Sequence, residues 1–224
     1  MKDQWCLPPK QNAEFVRAME GVLDADHRPP DPKRPLVCSD EASEQLIGET
    51  AEPIPAEPGR PERFDYEYVR NGTANLFVIS EPLTGRRSVT VTDRRTAKDF
   101  AEVLRWLADE VHPTAEKIVR VVDNLNTHET ASPSERYPAE EARRLAERFG
   151  IHHTPEHGSW PNMAEIESSV RSRQGPNRRI ESIDELRREA SAWERERNAF
   201  GTVTRWQFTT ADARIKLHRL YPAT

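Results

Sequence analysis

No stretch of the 224-residue chain approaches the roughly 20 consecutive apolar residues that a membrane-spanning helix needs, and the opening MKDQWCLPPK lacks the apolar segment of a secretory signal. Nothing calls for a membrane, and a cytoplasmic location is expected. Cysteine is nearly absent. Cys6 and Cys38 have no metal-ligand spacing and supply no disulfide framework, so both read as ordinary reduced thiols. Positive charge is not in excess either: 33 Lys and Arg stand against 38 Asp and Glu, a formal charge of −5. Affinity for nucleic acid rests mostly on Lys and Arg neutralising phosphates, so any such contact must come from local patches and not from overall charge. Apolar residues make up only 35% of the chain, so its core must be economical.

Periodic segments are nevertheless clear. Residues 12–25 carry Phe15, Ala18, Met19 and Val22 on one helical face and stop at the proline-rich DHRPPDPKRP. A short strand, PLVCSD, follows and ends at Asp40. From 41 to 72 no clean period is visible, and Pro53, Pro55, Pro58 and Pro61 with Phe64, Tyr66 and Tyr68 describe an insertion or clamp-like loop. ANLFVIS and RRSVTVTD read as a hairpin around EPLTG. Thr96 with Asp99 forms a capping box for a helix with Phe100, Val103, Leu104 and Leu107 inward. Next come the strand KIVRVVD, a polar loop, a helix opened by Pro138 and closed by Gly150, and the strand IHHTP. Residues 160–174 read as helical. Ser182 and Glu185 cap a long charged helix, and the tail from Thr209 forms one more, with Ile215 and Leu220 expected inward. Hairpin strands first and a strand–helix–strand connection afterwards imply an α/β three-layer fold, a mixed sheet with helices on both faces.

Two of these strands end in an aspartate, Asp40 in VCSDE and Asp123 in VVDNLNTH. If they are neighbours, both carboxylates meet at one edge of the sheet, where hard oxygen ligands hold Mg²⁺ or Mn²⁺. Two such ions about 3.5–4 Å apart suit phosphodiester transfer, which calls for a third acid. The candidates are Glu165 and Glu167, which point about 200° apart on a helix, so only one faces the metals. Asn162 shares a face with Glu165, which is the preferred choice. His152, His153 and His157 have the side chain for zinc, but adjacent strand residues point to opposite faces and do not readily share an ion. The arginines of TGRRSV and TDRRTAK and the first two of RSRQGPNRR, namely Arg86, Arg87, Arg94, Arg95, Arg171 and Arg173, are candidate phosphate contacts, with solvated faces as the plainer alternative for each patch.

VCSDE, VVDNLNTH, FGIHHTPEHGSWPNMAE and WQFTTADARIKLHRLYP together resemble the catalytic domain of DDE transposases, in particular bacterial insertion-sequence relatives of the mariner group. The resemblance implies a ribonuclease H-like fold that binds Mg²⁺, with Mn²⁺ substituting, cleaves DNA at element ends and joins the 3′-hydroxyls to a target. It assigns the three acids to Asp40, Asp123 and Glu165, and supporting roles to Asn124, His128 and Asn162. The implied organisation is a linker and helix over 1–34, the catalytic domain over 35–200 with its 41–72 insertion, and an extension over 201–224. Double-stranded DNA and a second copy of the chain are the implied partners.

Three departures stand out. The gap between Asp123 and Glu165 exceeds the mariner-type spacing, the extra length lying in the polar ETASPSERYPAE, where it is expected to be tolerated. The helix of Glu165 presents Pro161, Ala164, Ser168 and Arg171 where the family places mostly apolar residues. The helix-turn-helix domains that precede the family's catalytic domain do not appear, so a separate DNA-binding protein or reading frame is expected to supply them. The alternative is an inactive or repurposed remnant that acts as a dimerisation or regulatory protein. A metal-dependent nuclease without strand transfer would use the same carboxylates.

Overall fold

The computed structural model of the protein describes residues 13–123, 131–155, 163–174 and 178–221. In chain order the elements are α1 (Ala13–Asp26), β1 (Leu36–Glu49), β2 (Tyr68–Glu81), β3 (Arg86–Thr92), α2 (Ala97–Trp106), β4 (Ile118–Val122), α3 (Ala139–Arg148), β5 (Phe149–His153), α4 (Met163–Gln174), α5 (Ile183–Phe200) and α6 (Thr210–Lys216). The strands form one mixed sheet in the order β3-β2-β1-β4-β5. β2 runs antiparallel to both β1 and β3, while β4 runs parallel to both β1 and β5.

Side-chain alternation assigns the two faces. Leu36, Cys38, Val119 and Val121 pack against Phe15, Met19, Val22 and Leu23 of α1 and against Met163 and Ala164 of α4. Val37, Phe77, Ile79 and Ile118 point the other way, onto Phe100, Val103 and Leu104 of α2 and Leu145 of α3. Leu186 and Ala190 of α5 cover Leu76 and Val78 of β2. The expected three layers are all present. The capping box of Thr96 and Asp99 opens α2, and a second one, Thr209 with Asp212, opens α6. Ser182 caps α5 by accepting from the Glu185 amide. No helix among the described residues is long and apolar enough to cross a membrane.

Several local readings change. β1 does not stop at Asp40 but continues to Glu49, paired with β2 down to Tyr68 through one irregularity at Leu46/Ile47. The expected 41–72 insertion therefore has a two-stranded ribbon at its base, 41–49 with 68–72, which local periodicity hid because the outer part of β2 is exposed. Only 50–67 is irregular, braced by the bridges Ile54–Arg63 and Glu57–Arg60. Arg179 clips this tip to the body: it bonds Glu49 at 2.6 Å and the carbonyl of Glu67 at 2.8 Å, and lies over the rings of Phe64 and Tyr68. Gly150 does not close α3; the helix passes straight into β5 at Phe149. In α6 it is Ala213, followed by Leu217, that turns inward, leaving Ile215 77% exposed, because the stripe is set by contact with α1.

Candidate active site

The parallel pairing of β1 with β4 ends at Ser39 opposite Val122. The next residue on each strand is an acid, so Asp40 and Asp123 stand level, and continued alternation turns both toward the face covered by α4. β4 ends there, whereas β1 is still held by β2, with Asp40 opposite Val78. Asp40 accepts the Glu41 amide at 2.9 Å on one oxygen and the Ser168 hydroxyl at 2.8 Å on the other. Ser168 lies three residues after Glu165, and side chains three apart share a helical face. Glu165, in the first turn of α4, thus looks toward the same place as Ser168. Its carboxyl is held above the usual range, first by burial and then by the negative charges of Asp40 and Asp123. The three predicted acids are within electrostatic reach of one another. They do not form a closed cage: among the described residues no group of three His, Cys, Asp or Glu side chains is gathered closely enough to hold a metal ion.

This donor set suits a hard divalent cation. It offers carboxylate oxygens, and their mutual repulsion, felt at Glu165, is what a cation between them would relieve. Asn124, His128 and Asn162, the expected supporting residues, lie outside the described residues, as does His157. His152 is half-buried, with its pKa lowered chiefly by burial.

Two predicted DNA contacts are corrected. Arg87 is 1% exposed and Arg171 is 7% exposed. Arg87 faces inward from β3 onto Glu167 at 2.7 Å, and Arg171 pairs with Glu44 of β1 at 3.0 Å. Both are ion pairs within the fold, one joining β3 to α4 and the other α4 to β1. Arg86, Arg94, Arg95 and Arg173 are exposed. Arg94 and Arg95 follow β3 at the end of the sheet toward which β1 runs past Asp40, whereas Arg86 opens β3 at the other end, near Glu81.

Sequence reasoning missed Arg120. It is fully buried in β4, donates Nε and Nη2 to the Ser39 hydroxyl at 3.0 and 2.6 Å, and lies 4.2 Å above the Phe100 ring. Burial pushes its pKa down to about 9, while Glu41 and Asp123 act to raise it, so it stays charged at neutral pH. A cation beneath the level of the acids offsets part of their charge. The signal was present: an arginine amid the apolar IVRVV of a buried strand needs a partner.

A mixed 3-2-1-4-5 sheet with helices on both faces, an acid in β1 where its parallel pairing with β4 stops and another just past β4, defines a ribonuclease H-like fold. The chain belongs to the DDE superfamily endonuclease family, whose model matches residues 35–187. Among solved structures it is similar to the Mos1 Strand Transfer Complex, at 14% identity and a TM-score of 0.52, covering 87% of this chain and 58% of that one. It is also similar to the Mos1 transposase paired-end complex with left transposon end, at 15% identity and a TM-score of 0.50, with 87% and 58% covered. The chain thus spans somewhat under three fifths of the length of those relatives. No curated protein sequence matches it.

Proposed function

We propose that the chain is the catalytic part of a transposase, cleaving DNA and transferring the cut strand into a target, with Mg²⁺ (or Mn²⁺ in its place) held by Asp40, Asp123 and Glu165. The observation that carries the reading is the facing of Glu165, from α4, toward two aspartates on adjacent parallel strands, close enough to raise its pKa. Two bound cations would activate the attacking oxygen and stabilise the leaving one. The chain's own residues do the positioning. β1 and β4 fix the spacing of the two aspartates, α4 brings Glu165 over them, and Arg120 moderates their charge from below. The nucleophiles are water and then a DNA 3′-hydroxyl, with no covalent protein intermediate. Exposed Arg94 and Arg95 suit the phosphates of element ends or target. Ile54, Phe64 and Tyr66, 62%, 67% and 84% exposed at the ribbon tip, suit a second copy of the chain, as bridging two ends requires.

One observation favours the competing reading, a non-enzymatic remnant with dimerising or regulatory use: Asp40 is already engaged by Ser168. Nicking of supercoiled plasmid with Mn²⁺, beside Asp123→Asn prepared identically, separates the two. Cleavage by the wild type alone is expected. No cleavage by either protein, with a helix-turn-helix partner supplied, would support the remnant.

A further inference from the structure

Resting on that reading of the acids, we propose that Glu167 is the positioning residue for Glu165: clamped between Arg87 of β3 and Arg197 of α5, it sets the rotation of α4 that turns Glu165 toward Asp40 and Asp123. Apolar anchoring of α4 is concentrated in its first turn, with Met163 and Ala164 buried and Ile166 partly so. Beyond that turn the buried positions are Glu167 and Arg171, with Ser168, Ser169 and Val170 half-buried. Apolar burial has no preferred direction, so one turn of it holds the helix down without fixing its rotation. Charge-assisted hydrogen bonds do fix direction.

The clamp is well built. Glu167 is 2% exposed, and its Oε1 accepts Arg87 Nη2 at 2.7 Å and Arg197 Nη2 at 3.2 Å, while its Oε2 accepts Arg197 Nη2 at 3.1 Å. Arg87 is itself tied down: Nη1 donates to the Gly85 carbonyl, its amide donates to Asn198 Oδ1 at 2.7 Å, and its carbonyl accepts Asn198 Nδ2 at 2.8 Å. Three elements therefore meet at one carboxylate. Burial acts to raise the Glu167 pKa, but Arg87 and Arg197 outweigh it and hold the group ionised.

Glu167 points about 200° away from Glu165, so locking one fixes the other. A rotation of α4 by 30° would swing a carboxylate some 5–6 Å from the axis by about 3 Å, far beyond the roughly 0.2 Å tolerance of a metal–ligand distance. The other side-chain bonds of the helix are less suited to the task. Ser168 binds Asp40, itself a candidate ligand, and Glu44, the partner of Arg171, is 37% exposed. A buried ion pair gains little net stability over apolar replacements, whereas its geometry specifies orientation.

The test uses the full chain with two readouts. The first is metal-independent: the rate of oxidative cross-linking between Asp40→Cys and Ser168→Cys, whose parent side chains touch, with Cys6→Ser to leave only buried Cys38 besides. The second is Mn²⁺ affinity by calorimetry in the chain without those cysteines. Glu167→Gln is expected to retain the wild-type circular dichroism, cross-link several-fold more slowly and bind Mn²⁺ about tenfold or more weakly. Leu186→Ala, which removes a buried side chain from α5, is expected to lower the melting temperature and leave both readouts unchanged. Should Glu167→Gln fail to fold, Arg87→Met with Glu167→Met removes both buried charges and is judged by the same two readouts. An unchanged cross-linking rate in the folded variant overturns the proposal, as does slower cross-linking with unaltered Mn²⁺ affinity. A wild type that binds no Mn²⁺ would instead sink the proposed function, and the cross-linking rate would still decide the role of Glu167.

Discussion

Asp26 closes α1, where the helix dipole disfavours an anion, and is 5% exposed with Oδ1 lacking any hydrogen-bond partner. Burial raises its pKa from an ordinary 3.8 to about 7. Below pH 3.8 the group is neutral whether the chain is folded or not, and it costs nothing. Between that pH and 7 the unfolded chain ionises while the folded one keeps its proton, so stability falls as pH rises. Above 7 both forms are charged and the full penalty applies, roughly 4 kcal/mol for a gap of this size. Asp26→Asn removes the titration. Its stability relative to wild type, from urea denaturation at constant ionic strength, should therefore be greater at pH 8 than at pH 5 by about 2–3 kcal/mol. Taking the difference between the two pH values cancels the amide's own bonding and the other titrating groups, His152 and Glu165 included. An equal effect of the substitution at both pH values would refute the reasoning.

Three further outcomes follow from other contacts. Glu165→Gln, by removing a carboxyl that Asp40 and Asp123 oppose, should slightly stabilise the chain in EDTA, by no more than about 0.5 kcal/mol, and should abolish any rise in melting temperature on adding Mn²⁺. Arg94→Ala with Arg95→Ala should leave the melting temperature alone and reduce the slope of log affinity for duplex DNA against log salt by about 2, as measured by fluorescence anisotropy. Gly85→Ala should destabilise by about 2 kcal/mol or more in calorimetry, because φ is +76° and a Cβ would lie 2.6 Å from the Gly201 carbonyl oxygen.

The layers, the hairpin and the caps of α2 and α5 were legible because each rests on local signals, alternation, turn residues and capping residues, and the three candidate acids were named from strand ends and the family resemblance. What was not legible depended on partners distant in the chain. Arg87 and Arg171 looked like surface cations until Glu167 and Glu44 came to face them across 80 and 127 residues. The polar stripe of α4 looked like poor packing, yet Ser168, Arg171 and Glu167 each meet a specific partner on the sheet or α5. Ile215 looked buried by its apolar character alone, and only the approach of α1 shows that Ala213 takes that place.

The continuation of β1 through Asp40 gives the three acids unequal mechanical standing. Asp40 sits within fourteen residues of strand paired to β2, whereas Asp123 is the first residue past its strand and Glu165 lies in the opening turn of its helix. Element ends open locally at far lower cost than paired interiors. On the proposed reading Asp40 is thus the fixed datum of the site, and such adjustment as a DNA strand requires falls first to Asp123, just past its strand.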